Sequence, residues 1–357
     1  MRILLAARRY PPDVWSGTET VFRNIYDQAR KGNETRLVVG FRQSRDMVPS
    51  EAKAVDLRGV SKPRAWLRMA QGVRTQIRQW QPDAVLSNSI EVPAVGTPTA
   101  CIVHDLNFGD TKAGFGSMPR KAFYAIRARQ LGAIITVSQA SADVLVKTGI
   151  PAESIHVIHN AVDTNIFCPA TSQNSTDPLF HFVYPSRIIS GKGQHLAIDA
   201  FARMPDRYRK QSRLTIVGAA PDGIYLDRLR VQAYGLPIEF ATNVPTIEGY
   251  YQSADVILFP SMMTEGFGFT AAEGMACGKP VVWFDQPAVR EATGGIGLPV
   301  PRGDVDAMKS AMIGLLEDKV LRDSVGEAGL RYVQRHLSWE RVWHQYEEVL
   351  NTIAAKR

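Results

Sequence analysis

Asp255 to Phe284 is the stretch that leaves this chain the fewest ways to fold. Asp255-Val256-Ile257-Leu258-Phe259 is short, apolar and β-branched, the pattern of a strand buried on both faces of a parallel sheet. Residues 260–268, PSMMTEGFG, form a turn with glycines at 266 and 268. Phe269 to Cys277 then reads as a helix, Gly278-Lys279-Pro280 stops it, and Val281-Val282-Trp283-Phe284 begins another strand. Parallel strands need such a crossover, so the chain contains a layered α/β domain. Open sheets of this kind bind ligands at the carboxyl ends of their strands, where this turn lies.

Two carboxylates mark that turn and the helix after it. Glu265 is in the loop and Glu273 about one and a half turns into the helix, with seven residues between them. Glycines 266 and 268 let backbone N–H groups approach a ligand with no Cβ in the way. The helix start adds partial positive charge suited to a phosphate or a sugar hydroxyl. Each carboxylate can accept bonds from vicinal hydroxyls. The same spacing also fits a Glu265 that caps the helix and a Glu273 on a solvated face. Spacing alone leaves both readings open.

The run Glu265-Gly266-Phe267-Gly268-Phe269, with Glu273 and Met275-Ala276-Cys277-Gly278-Lys279-Pro280-Val281-Val282, resembles the donor-site signature of glycosyltransferase family 4. The resemblance implies an α/β chain of two facing Rossmann-like domains (the GT-B type), with an interdomain cleft and a carboxyl-terminal helix crossing back. It implies that Glu265 holds the hydroxyls of the transferred sugar and Glu273 the nucleotide ribose. Gly274 stands where the family usually has Ala, at about 1 kcal/mol of helix propensity and with no bearing on the chemistry.

Further stretches extend the likeness over nearly the whole chain. Arg187 and Lys192 match the family's R-x4-K-G, the pair that grips the donor diphosphate. Gly191-Lys192-Gly193 is no Walker motif, because the Ser/Thr after Lys and the first Gly are missing. Two cations beside a helix start can neutralise charge on a departing diphosphate, at about 1.5–3 kcal/mol per charge-assisted bond. Surface cations with no such role are the alternative. Asn243 and Val244 fall where the family seats the nucleotide base. Ser16-Gly17-Thr18-Glu19 follows Pro11-Pro12 and resembles the amino-terminal donor loop, with Thr18 in place of the second Gly; it is also an ordinary capping box. His104-Asp105 matches a V-H-D pattern in which the His approaches the reacting sugar from the acceptor side. Asp105 would then position that His or bind an acceptor hydroxyl. Residues 111–124, with Gly114, Gly116 and Pro119, are expected to form a mobile loop over the acceptor. His159-Asn160-Ala161-Val162-Asp163 and Phe167 resemble a P-N-G-V-D…F element, departing from it at His159 and Ala161.

A length of 357 residues, 45% of them apolar, suits two domains. The expected division is 1–168 for an acceptor-binding domain, 169–178 for a polar linker, 179–335 for the donor domain and 336–357 for the crossing helix. Residues 2–7, 36–41, 83–87, 99–103, 133–138, 180–184, 214–217 and 238–241 read as further strands. No run of eighteen apolar residues exists, and the start of the chain does not read as a signal peptide. Cys101, Cys168 and Cys277 are far apart, which argues against a disulfide framework or a cysteine zinc site. The cytosol is the default compartment.

The net charge of +7 is uneven: residues 1–167 hold 22 Lys/Arg against 14 Asp/Glu, and residues 168–357 hold 20 against 21. Ser61 to Trp80 carries five basic residues and no acid, with Trp66, Met69, Ala70, Val73, Ile77 and Trp80 at helical spacing. Such a segment either lies on an anionic membrane surface, giving a peripheral place at its inner face, or packs its stripe on the sheet with solvated arginines. No nucleic-acid motif accompanies the basic segments. Asp304-Val305-Asp306 has the form of a metal-binding D-x-D but sits where helix capping accounts for both acids. A nicotinamide dehydrogenase is disfavoured, because no G-x-G-x-x-G follows a strand.

The family resemblance implies retaining transfer of a hexosyl group, of mannose or glucose type. The donor would be a UDP- or GDP-sugar and the acceptor a glycan or lipid-linked molecule of cell-surface polysaccharide or glycoconjugate biosynthesis. No metal or other cofactor is implied. His104, Arg187, Lys192 and Glu265 would carry the chemistry by positioning and electrostatics. Two other readings are a nucleotide-sugar epimerase or hydrolase on the same fold, and a non-catalytic nucleotide-sugar-binding partner. The intact set of Arg187, Lys192, Glu265 and Glu273 argues against the second.

Overall fold

A computed structural model describes residues 1–12, 17–88, 90, 96–104, 125–170 and 178–356. Its buried apolar runs become the strands of two all-parallel sheets. The first holds β1 (Arg2–Ala7), β2 (Glu34–Phe41), β3 (Lys53–Asp56), β4 (Ala84–Ser87), β5 (Thr99–Val103), β6 (Ala133–Thr136) and β7 (Ile155–Val157), in the order β3-β2-β1-β4-β5-β6-β7. The second holds β8 (Phe180–Pro185), β9 (Ser212–Gly218), β10 (Ile238–Thr242), β11 (Val256–Phe259), β12 (Val281–Phe284) and β13 (Leu298–Val300), in the order β10-β9-β8-β11-β12-β13. Each sheet starts in its middle, runs to one edge and resumes on the other side of its first strand. The order therefore reverses between β1 and β4 and again between β8 and β11. Loops leaving the carboxyl ends at a reversal diverge to opposite faces, opening a crevice.

Contacts divide the chain into two units, Met1–Ala161 with Trp339–Arg357, and Val162–Ser338. In the first, Ile3 to Ala7 of β1 are wholly enclosed. The helix Trp339–Ala355 buries Val342, Trp343, Tyr346, Val349, Leu350 and Ile353 and packs on the helix Gly17–Gly32 and on β4 and β5. A bond from Asn33 Nδ2 to Glu347 Oε1, 2.7 Å long, fastens it there. In the second unit every residue of β11 and β12 is buried, around the fully enclosed Trp283. Among residues 169–178, expected as a linker, 171–177 lie outside the described residues.

The basic amphipathic segment is the helix Lys62–Trp80, opened by Pro63 in its first turn. Ala65, Met69 and Val73 pack on Leu4, Val38, Val55 and Val85 of the sheet, with Ile77 and Trp80 partly buried beside them. Burying Met69 and Val73 is worth about 1.5–3 kcal/mol each. Arg64, Arg68, Arg74 and Arg78 are exposed. Of the two sequence readings, the stripe is taken up by the sheet. Among the described residues no helix is long and apolar enough to cross a membrane, and all three cysteines are free thiols.

Candidate functional site

Two loops, each ending in a left-handed glycine before an uncapped helix, leave the second sheet on either side of its reversal. After β8 the chain runs through Ser186 and Arg187 into a single 3-10 turn, Ser190–Lys192, then Gly193, then the helix Gln194–Ala202. After β11 it runs through Pro260 to Glu265 and Gly266, then Gly268, then the helix Phe269–Ala276. Gly193 (φ 77°) and Gly268 (φ 115°) both occupy the left-handed region that turns a loop sharply into a helix. Neither helix has a side-chain cap, so first-turn N–H groups remain for another acceptor. The loops are joined to each other, Met262 N donating to the Gly191 carbonyl at 2.9 Å. A Cβ on Gly193 would stand 2.1 Å from the Pro260 carbonyl oxygen.

The charged groups sit across this junction. Lys192 Nζ donates to Glu265 Oε1 at 2.7 Å, and the side chains are only 15% and 12% exposed. Ser261 Oγ donates to the same oxygen. Glu265 Oε2 keeps no partner among the described residues. Tyr184 OH donates to the Lys192 carbonyl, and Lys192 Nζ lies 5.7 Å from the Phe259 ring centre. Gln286 Oε1 accepts from Glu265 N at 3.3 Å while its Nε2 donates to the Ser261 carbonyl at 2.7 Å. Arg187 is different: its guanidinium is exposed and has no hydrogen bond or ion pair among the described residues, although Gln194 Nε2 holds its carbonyl at 2.8 Å.

Glu273 projects from the helix behind Gly268. Tyr251 OH donates to its Oε2 at 2.5 Å. The carboxylate end is enclosed enough that burial pushes its pKa up to about 7, against the opposing pull of the Tyr251 bond. Thr270 Oγ1, on the same helix, donates to the Pro185 carbonyl at 2.9 Å and fixes the helix start against the end of β8. Phe267 is buried and meets Phe269 edge-on at 5.4 Å, so these aromatics wedge the turn. Asn243, left-handed at φ 55°, ends β10; its N donates to the Gly218 carbonyl at 3.1 Å and its Oδ1 accepts from Ala220 N at 3.4 Å. Its neighbour Val244 is half-buried.

The second unit thus gathers Arg187, Lys192, Glu265, Gly266, Phe267, Gly268, Phe269 and Glu273 around the loops that follow β8 and β11, and sets Asn243 and Val244 at the carboxyl end of β10. Ser261, Gln286, Tyr184 and Tyr251 were not picked out from the sequence: Gln286 and Tyr251 meet their partners only when distant segments come together, and Ser261 and Tyr184 bond within their own loops at spacings that no motif marks. In the first unit Gly17 and Thr18 open the helix after β1. His104 follows β5; its Nε2 is buried with no partner among the described residues, and burial lowers its pKa to about 4. Asp105 and the expected loop 111–124 lie outside the described residues. Asp304 accepts from Ala307 N at 2.8 Å as a helix cap, and Asp306 pairs with Arg203 and Lys309. Among the described residues no three His, Cys, Asp or Glu side chains cluster as metal ligands would. A compact ion pair with one open oxygen, a free guanidinium and uncapped helix starts suit a ligand carrying both anionic charge and hydroxyls.

Two family models divide the chain between them: residues 15–166 match Glycosyltransferase Family 4 and residues 180–318 match Glycosyl transferases group 1. The phosphatidyl-myo-inositol mannosyltransferase of Mycobacterium leprae is 34% identical over 169 residues, 46% of this chain and 44% of its own. A GDP-mannose-dependent monoacylated alpha-(1-6)-phosphatidylinositol monomannoside mannosyltransferase of Corynebacterium glutamicum is 28% identical over 54% of this chain and 55% of its own. The chain therefore spans about half the length of the curated relatives it matches. Among solved structures, Anabaena HepE in complex with UDP superposes with a TM-score of 0.81 at 22% identity, covering 99% of this chain and 100% of that one. The same protein in complex with UDP-glucose gives 0.79 at 22%, with the same coverage. These likenesses show the fold, two Rossmann-like α/β domains of the GT-B type.

Proposed function

The chain belongs to glycosyltransferase family 4, and from that premise we propose that it transfers a hexosyl group, of mannose or glucose type, from a UDP- or GDP-sugar to a glycan or lipid-linked acceptor, with retention and without a metal. The relatives support both halves of the reading: their names describe mannosyl transfer to phosphatidylinositol-based lipids, and HepE is described with UDP and UDP-glucose. The observation that carries it is the Lys192–Glu265 pair at the β8/β11 reversal, beside the unengaged Arg187.

In this reading the donor diphosphate meets Arg187 and the spare N–H bonds of Lys192, which has three donors and gives one to Glu265. Charge growing on the leaving diphosphate is then stabilised by groups already in place, which lowers the barrier without reorganisation. Glu265 Oε2 accepts a hydroxyl of the transferred sugar and Glu273 a hydroxyl of the ribose. The acceptor attacks from the face the diphosphate leaves, and a diphosphate oxygen takes its proton; no protein nucleophile is used. His104, on the first unit, is the candidate for the acceptor side. With a pKa near 4 its imidazole is neutral at working pH and acts as a hydrogen-bonding group rather than a cation.

Thermal stabilisation by UDP, GDP, ADP, TDP and their common sugars tests the reading first. A ligand at 100 times its Kd adds about 2.7 kcal/mol of stability. One nucleotide should stand out, and turnover with its sugar should give the retained anomer by NMR and survive EDTA. No response to any nucleotide would overturn the donor site; inverted product or loss with EDTA would overturn the finer claims.

A further inference from the structure

A carboxylate that serves a ligand needs one oxygen held and the other left open. Glu273 has that form: Oε2 takes the Tyr251 hydroxyl at 2.5 Å, and Oε1 has no partner among the described residues. Tyr251 is itself fixed. It is 1% exposed, and Phe167 meets its ring edge-on at 5.2 Å with 82° between the planes. The next residue, Gln252, donates from Nε2 to the Cys168 carbonyl at 3.2 Å, so the segment at Phe167–Cys168 braces the short helix Glu248–Ser253 that carries the tyrosine. Twenty-two positions separate Tyr251 from Glu273, so this pairing is a product of the fold and not of local helix geometry.

We propose that Tyr251 is a positioning residue for donor binding: its hydroxyl holds Oε2 and orients the Glu273 carboxylate, so that Oε1 is presented to a hydroxyl of the nucleotide's ribose. This rests on the donor-site reading of Glu273 given above. The titratable groups around the pair are few. Glu273 feels its own burial and Tyr251; Tyr251 in turn feels Glu273, the Thr270 hydroxyl and the Cys277 thiol. Lys279 and Cys168 act on Cys277 and not on Glu273. Among the described residues no Lys or Arg offsets the burial of this carboxylate, and the tyrosine bond alone favours its charged form. A ribose hydroxyl bonds more strongly to the carboxylate than to the acid, so nucleotide binding favours loss of the proton.

The experiment is calorimetric titration of UDP-glucose and of GDP-mannose, whose esterified diphosphates do not titrate between pH 5.5 and 8.5, over that range, using the better-binding nucleotide, on the wild type, Tyr251→Phe, Glu273→Gln and Tyr250→Phe. The wild type should bind progressively more weakly below about pH 7, by at most about tenfold per pH unit. Tyr251→Phe keeps the ring and its contact with Phe167. It should bind about tenfold more weakly at pH 7, with the midpoint displaced to higher pH. Glu273→Gln should bind weakly with no pH dependence, and Tyr250→Phe should match the wild type. Ligand-free melting of each variant separates misfolding from lost positioning, because a merely structural tyrosine would lower the melting temperature and leave the pH midpoint in place. If Glu273→Gln abolishes the pH dependence while Tyr251→Phe leaves midpoint and affinity unchanged, the proposal is overturned and the donor site stands. If neither nucleotide binds the wild type, or Glu273→Gln binds as the wild type does, the donor-site reading falls and this one with it.

Discussion

The two sheets share one strand order and one reversal, yet they use their carboxyl edges differently. Among the described residues of the first unit, an ion pair at the edge joins Arg9 to Glu19 at 3.2 Å and ties the segment after β1 to the helix that follows, the acid sealed at 5% exposure and the cation open at 49%. In the second, Lys192 and Glu265 come from loops on opposite sides of the reversal, and both are equally shielded. The first pair holds the exit of a strand to the helix behind it; the second joins two loops at the reversal of the sheet. Charge follows the same division: the first unit holds 25 Lys/Arg against 16 Asp/Glu, the second 17 against 19. Topology says where a ligand can sit, and the side chains at the reversal decide whether anything there can hold one.

The largest expected effect tests whether the spanning pair is chemical as well as structural. In the proposed reaction Lys192→Ala should lower turnover at least ~100-fold, since it removes the cation that faces the departing diphosphate and leaves Glu265 without its ion-pair partner; near-normal turnover would reduce the second pair to the status of the first. Next comes Glu273, whose raised pKa makes a signed prediction. Between about 4.5 and 7 the folded protein binds the proton that the unfolded chain has released, so ligand-free stability should fall as pH rises through that window. The full loss is on the order of 3 kcal/mol and should vanish in Glu273→Gln, measured by urea denaturation at a series of pH values. A smaller effect separates the units: His104→Ala should cut turnover about tenfold while nucleotide affinity is unchanged. A matching loss of affinity would show that the first unit shares the donor site. Smallest is Gly274→Ala, where about 1 kcal/mol of helix propensity is set against a Cβ only 3.0 Å from Ile257 Cγ1. Melting should move little and turnover not at all, as expected of a position that packs the site's helix without touching a ligand.

The βαβ unit was legible because its signals are local. Val256–Phe259 and Val281–Phe284 are unbroken apolar runs, and Gly268 and Gly278 punctuate the helix between them. β3, β7 and β13 were not anticipated, β7 being three residues, Ile155–Val157, that pair with β6 at the edge. Lys53–Asp56 has charged ends, and Leu298–Val300 is three residues around a proline; both are edge strands whose pairing supplies what their composition lacks. The stripe of Lys62–Trp80 was legible and its partner was not, since periodicity marks an apolar face without saying what covers it. Motif resemblance pointed to Arg187 with Lys192 and to Glu265 with Glu273, each as a pair within one segment. That Lys192 pairs with Glu265 across 73 positions, and Glu273 with Tyr251 across 22, emerges only when the strands lie side by side.

The absence of a Cβ at Gly193 reaches beyond the turn it permits. With the Pro260 carbonyl 2.1 Å from where that atom would be, the two loops meet main chain against main chain, and any other residue at 193 would wedge them apart. The edge is a fixed frame. New ligand preferences can therefore be written only in the side chains that frame displays, Met262 and Thr264 being exposed beside it. A library that varies those positions and leaves 193 alone should yield altered selectivity at little loss of folding, whereas one that varies 193 should yield mostly inactive chains.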